Sequence, residues 1–152
     1  MIVVGYTAGS FGRACLEHGI AEAKLRDVEL LVINAVSEAR GQRMVDADEI
    51  AEIQSRLETS GVKFAVRQPI GATPAEELLT AMDHPDAELL VIGMRRRTQV
   101  GKLLLGSTSQ YLLVECSKPV LVVKPTDAHR RYSAVVDDPP PTDFGGSGGI
   151  EP

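Results

Sequence analysis

Apolar positions along the chain follow two periods in alternation. Short runs rich in valine, isoleucine and leucine occupy residues 2–5, 28–35, 89–92 and 120–123. Such runs suit strands buried on both faces of a parallel sheet. Residues 62–67 (VKFAVR) instead alternate apolar and polar, as in a strand near a sheet edge with one side partly exposed. Between these runs the period lengthens to that of a helix. Gly12, Cys15, Leu16, Gly19, Ile20 and Ala23 share one helical face, and His18 falls off it toward solvent. Each glycine on that face costs about 1 kcal/mol relative to alanine, and the expected compensation is close approach of the helix backbone to the sheet. A second helix is expected over 46–60, with Asp46 and Glu49 as its start signal, Ile50, Ile53 and Leu57 inward, and Gly61 as its stop. A third begins at Thr73-Pro74-Ala75-Glu76, with Thr73 as N-cap, Pro74 first in the helix and Glu76 closing a capping box. Ala75, Leu78, Leu79 and Met82 are its inward stripe, and Pro85 ends it.

The most informative stretch runs over residues 88–125. The run 89–92 ends at Gly93, and a loop carrying Arg95, Arg96 and Arg97 follows. Gly106 and Ser107 come next, then a helical segment, then the last strand. Ser107 with Gln110 three residues later forms the S-x-x-Q pattern of a capping box. A helix start preceded by glycine and flanked by three arginines and Lys102 can hold a phosphate. The same residues also fit a solvated basic loop and a helix cap that needs no ligand. Strands and helices alternate throughout, so the expected class is α/β. It comprises a single doubly wound, Rossmann-like domain with a five-stranded parallel sheet, helices on both faces and right-handed crossovers. In such a sheet the cleft lies at the carboxyl ends of the strands flanking the point where the winding reverses.

Composition changes this picture only at the end of the chain. With three Tyr, three Phe and no Trp, the core must rest on aliphatic residues, and 152 residues suffice for one domain. The boundary is expected at residue 125, giving a folded domain over 1–125 and a flexible tail over 126–152. Pro139-Pro140-Pro141 and Gly145-Gly146-Ser147-Gly148-Gly149 in that tail cannot build a core. The tail also holds Asp127, Asp137, Asp138, Asp143 and Glu151 against Arg130 and Arg131, so most of the net charge of −5 resides there. The acidic balance disfavours a dedicated nucleic-acid partner. No run approaches the roughly 18 apolar residues of a membrane span, and an apolar strand directly after Met1 does not match a signal peptide. The expected location is cytoplasmic, with Cys15 and Cys116 as reduced, buried thiols.

The stretch from Gly93 to Val123 resembles the C-terminal signature of the universal stress protein family. In that signature a strand-ending glycine is followed by two residues, a second glycine, nine residues and Gly-Ser or Gly-Thr. Gly93 matches the first position and Gly106-Ser107 the last, whereas Arg96 occupies the middle one. Cys116-x-x-Pro119-Val-Leu-Val-Val is also similar to the family's ending. The resemblance, over about residues 1–125, implies the strand order 3-2-1-4-5. It implies a nucleotide site formed by Thr7, Ala35, Val36, Gly93, Arg95, Arg96, Gly106, Ser107 and Thr108, with ATP or AMP as ligand. It further implies a homodimer paired through Val120, Leu121, Val122 and Val123. Thr7 stands where nucleotide-binding members carry an aspartate, and it offers no carboxylate to a ribose or a metal. Arg96 puts a side chain where the family's backbone approaches phosphate, which either obstructs the loop or adds a charge-assisted bond.

Catalysis is not expected. No Asp, Glu or His lies between Gly93 and Tyr111 to position water or hold Mg²⁺, and phosphoryl transfer depends on both. Gly101-Lys102 lacks the P-loop spacing, and His18, His84 and His129 lack metal-ligand spacing, so no metal is expected. The leading expectation is an adenine-nucleotide sensor of stress acting by binding. A nucleotide-free homodimeric interaction module and a weak ATP hydrolase are the alternatives.

Overall fold

Side-chain alternation along each strand sorts the apolar residues onto two faces of one sheet. The computed structural model of the chain describes residues 1–35, 45–96 and 103–124. Its first strand, β1 (Ile2–Gly5), directs Ile2 and Val4 to one core and Val3 to the other. The same division repeats in β2 (Leu30–Ile33), where Leu30 and Val32 oppose Leu31 and Ile33, and in β4 (Leu89–Gly93), where Leu89 and Val91 oppose Leu90 and Ile92. These strands are buried on both faces because helices cover both.

The first core is closed by α1 (Ser10–Arg26) and α2 (Ala47–Ser60), the second by α3 (Pro74–Met82) and α4 (Ser107–Glu115). With β3 (Phe64–Arg67) and the last strand, β7 (Val120–Val123), the sheet has the all-parallel order β3-β2-β1-β4-β7. Counting only sheet strands, this is the 3-2-1-4-5 order that the resemblance implied. In β3 exposure alternates from residue to residue, as its sequence predicts for an edge strand.

The inward stripe of α1 is the six residues expected, and its glycines have a packing reason. A Cβ at Gly12 would stand 1.9 Å from the Thr7 carbonyl oxygen, and one at Gly19 would stand 2.3 Å from Val4 Cγ2. The helix therefore lies nearer the sheet than any side chain permits.

Helix starts agree less closely with the sequence reading. At α2, Asp46 is the N-cap as expected, its Oδ1 accepting from the Glu49 N–H at 2.8 Å. At α3, Thr73 holds the N-cap position and Pro74 the first helical one, but the Thr73 side chain makes no capping bond. At α4 the expected capping box does not form, and the N-cap falls one residue earlier. Gly106 is the N-cap and Ser107 is already helical, so Ser107 cannot cap; Gln110 Nε2 donates to the Leu105 carbonyl instead. Cys116 is half-buried rather than buried, because it follows the last turn of α4, whereas Cys15 is buried as expected.

The arginine loop also differs from expectation. Arg95–Arg96 form β5 and pair antiparallel with β6 (Leu103–Leu104), Arg95 opposite Leu104 and Arg96 opposite Leu103. This ribbon stands outside the main sheet. Val36, Arg97, Lys102 and the tail 126–152 lie outside the described residues. Among the described residues, no helix is long and apolar enough to cross a membrane.

Candidate functional site

The sheet reverses its winding between β1 and β4, whose carboxyl ends therefore diverge into helices on opposite faces. A cleft of about 710 Å³ opens there, within the size range of small-molecule sites. One part of its wall is apolar, formed by Phe11, Ile33, Ala35, Pro74, Leu78 and Ile92. The other part is polar and neutral: Thr7 after β1, Gly93 ending β4, and Gly106, Ser107, Thr108, Ser109 and Gln110 from the start of α4. The positive end of the α4 dipole is thus at the cleft.

Six of the residues expected at a nucleotide site converge on this cleft: Thr7, Ala35, Gly93, Gly106, Ser107 and Thr108. They come from the ends of three strands and the start of one helix, a convergence that only the strand order produces. Arg95 and Arg96 belong to the β5–β6 ribbon that follows β4, two residues beyond the Gly93 position that lines the cleft.

The motif glycines have different local surroundings. A Cβ at Gly93 would lie 3.1 Å from Cys15 Sγ and 3.8 Å from the Phe11 carbonyl oxygen, so Gly93 serves the packing of α1 on β4. Among the described residues, a Cβ at Gly106 would meet no atom within 4 Å beyond its chain neighbours. With φ −65° and ψ 159°, the Gly106 backbone is one that any residue adopts. Among the described residues, nothing demands glycine at position 106.

Two side chains that the sequence did not place at the cleft, Glu49 and Asn34, shape the loop carrying Thr7. Glu49, in the first turn of α2, accepts through one oxygen from both the Tyr6 hydroxyl at 2.7 Å and the Gly9 N–H at 2.9 Å. Asn34, buried at the end of β2, donates to the Tyr6 carbonyl at 3.0 Å; its Oδ1 accepts from the Val45 N–H and from Gln68 Nε2, each at 3.3 Å. Loop residues 6–9 are therefore pinned from two sides. On the opposite wall, Ser109 Oγ makes a long contact of 3.5 Å with the Gly93 carbonyl. These partners lie 11 to 43 residues apart in sequence, beyond the reach of any local motif.

Two buried acids beside the cleft titrate at high pH. Burial pushes the Cys15 thiol from 9.0 up to about 12. Burial, then the bond to Glu49 and its charge, raises the Tyr6 hydroxyl above its ordinary 10.0. Both groups stay protonated in the native chain at pH values where the unfolded chain loses the proton, so the unfolded state binds fewer protons and stability falls with pH. For Cys15 the window runs from 9 to about 12, and Tyr6 adds to the fall above 10. Thermal melts should show a melting temperature that declines progressively above pH 9; a flat profile from pH 8 to 11 would contradict these assignments.

Fold and cleft together define a doubly wound α/β protein with a neutral, hydroxyl-lined site at its topological switch point. The sequence model of the universal stress protein family matches residues 1–124, and the chain belongs to that family. A universal stress protein of Mycolicibacterium smegmatis is 61% identical over 130 residues, spanning 82% of this chain and 98% of that protein. Among solved structures, a universal stress protein in complex with cAMP is 25% identical with a TM-score of 0.60, covering 82% of this chain and 96% of that one. One from Archaeoglobus fulgidus in complex with dAMP shares the fold at 22% identity and a TM-score of 0.59, covering 81% and 95%.

Proposed function

We propose that this chain is an adenine-nucleotide-binding stress-response protein that acts through occupancy of the cleft rather than by chemistry on its ligand. The observation that carries this reading is Gly106. It caps α4 and lines the cleft, its backbone conformation is ordinary, and a Cβ there would meet nothing within 4 Å among the described residues beyond its chain neighbours. A glycine that the described surroundings do not require, at a helix N-terminus, keeps a path open for an anion to reach the backbone. Ser107 and Ser109 add hydroxyls on the same wall, and Ile33, Ala35, Pro74 and Leu78 offer an apolar surface for a base. The family relative that holds cAMP supports adenine as that base. No acid or imidazole between Gly93 and Tyr111 is available to activate water, which favours binding over hydrolysis.

Titration calorimetry with AMP, cAMP and ATP tests the reading, with saturable binding of at least one as the expected outcome. Binding of none, together with unchanged thermal melts, would leave a nucleotide-free interaction module of the same fold.

The working unit in this proposal is a homodimer. Strand β7 is an edge strand of the described sheet, and Val120, Leu121 and Val122 on it are only partly buried. An apolar edge needs cover, and pairing with a second β7 supplies it. Val122→Pro removes a backbone donor from that edge. The variant should sediment as a monomer, and one that remains dimeric would move the interface elsewhere.

A further inference from the structure

Resting on the nucleotide site proposed above, we infer that Glu49 is a positioning residue for the ligand. It sets the turn that presents Thr7 to the cleft, although it is not itself part of the cleft wall. Glu49 belongs to the first turn of α2 and is fixed there by its own N–H, which donates to the Asp46 cap at 2.8 Å. Its Oε1 accepts from the Tyr6 hydroxyl at 2.7 Å and from the Gly9 N–H at 2.9 Å. Those two donors flank Thr7 and Ala8 in the turn between β1 and α1. A single carboxylate oxygen therefore ties the two ends of that turn together.

Other contacts hold both ends of the turn to the fold, so this tie can be cut without unfolding the chain. The Tyr6 N–H donates to the Ile33 carbonyl at 2.8 Å, and the Tyr6 carbonyl accepts from Asn34 Nδ2 at 3.0 Å. From Ser10 onward α1 is anchored by its own buried stripe. Gly9 lies between these anchors at a φ of 95°, and glycine has more backbone freedom to lose than any other residue. The bond to Glu49 restrains it. Without that bond the turn samples further conformations, only a fraction of which present Thr7 to a ligand, and apparent affinity falls by that fraction. Because both donors share one oxygen, the amide oxygen of glutamine can accept both bonds as well.

The test is calorimetric titration of the full chain and its Glu49→Ala, Glu49→Gln and Tyr6→Phe variants with AMP, cAMP and ATP, well below each melting temperature. Glu49→Ala should weaken every nucleotide that the parent binds roughly tenfold, as when the competent fraction drops to about a tenth. Glu49→Gln should restore affinity to within about threefold of the parent, and Tyr6→Phe, which removes one of the two donors, should fall between them. Hydrogen exchange at the Gly9 amide reads positioning separately from stability: nucleotide should slow it in the parent, because occupancy selects the closed turn. A Glu49→Ala chain that melts lower yet binds as tightly as the parent would overturn the inference and leave the nucleotide site in place. Should that chain not fold, Tyr6→Phe decides, and parental affinity in it would overturn the inference. A parent that binds none of the three nucleotides would overturn the site and this inference together.

Discussion

Replacing Gly12 with alanine should destabilise the chain by about 3 kcal/mol or more, although alanine is the better helix former. Helix propensity favours the substitution by about 1 kcal/mol. Against that, the new methyl carbon would stand 1.9 Å from the Thr7 carbonyl oxygen and 2.9 Å from Tyr6 Cζ. Neither neighbour is the free end of a flexible side chain. The carbonyl belongs to the loop after β1, which Glu49 and Asn34 hold from either side, and Tyr6 is 2% exposed with its hydroxyl engaged. Relief requires α1 to move off the sheet, opening the core around Cys15, Leu16 and Ile20. Overpacking of this kind costs about 1–3 kcal/mol and more where the backbone itself must move. Urea unfolding measures the difference, and a variant as stable as the parent would show that α1 does not approach β1 this closely.

Gly106→Val should separate binding from folding in the opposite way. The valine Cβ enters space that none of the described residues beyond its chain neighbours approaches within 4 Å, at a φ of −65° and ψ of 159° that valine adopts without strain. Loss of the glycine as N-cap limits the stability change to about 1 kcal/mol. Affinity for AMP and cAMP should fall roughly ten- to a hundredfold. A phosphate held off the start of α4 loses one charge-assisted hydrogen bond, worth about 1.5–3 kcal/mol. Calorimetry on the variant, beside its thermal melt, checks both halves. Equal affinity in parent and variant would place the ligand away from the α4 terminus.

The contrast between Gly12 and Gly106 also marks what the sequence can express. Periodicity made the buried stripe of α1 legible residue by residue, and the cost of two glycines on that stripe already implied a tight helix–sheet contact. The β-branched runs located the buried strands because a strand covered on both faces leaves no polar alternation to confuse it. Strand order was not in the periodicity and came from the resemblance of the Gly93 to Val123 stretch to a family. With that order, Thr7, Ala35, Gly93 and Gly106–Thr108 fall on one cleft. The β5–β6 ribbon was not legible, since two arginines opposite two leucines show no alternation long enough to read. Nor were Glu49 and Asn34, whose bonds to the Tyr6 loop join positions 28 to 43 residues apart. The one-residue displacement of the α4 cap has a simple cause. Gly106 and Ser107 are both acceptable N-caps, and the pattern alone does not choose between them.

The most direct test of the central claim is an amide-resolved NMR titration of the chain with AMP. The account predicts saturable shifts concentrated at Thr7, Ala35, Gly93 and Gly106 to Ser109, the residues that bring the cleft together. Shifts gathered instead at the opposite end of the sheet, around Lys24, Asp27, Gly61 and Lys63, or no saturable shifts at all, would contradict it.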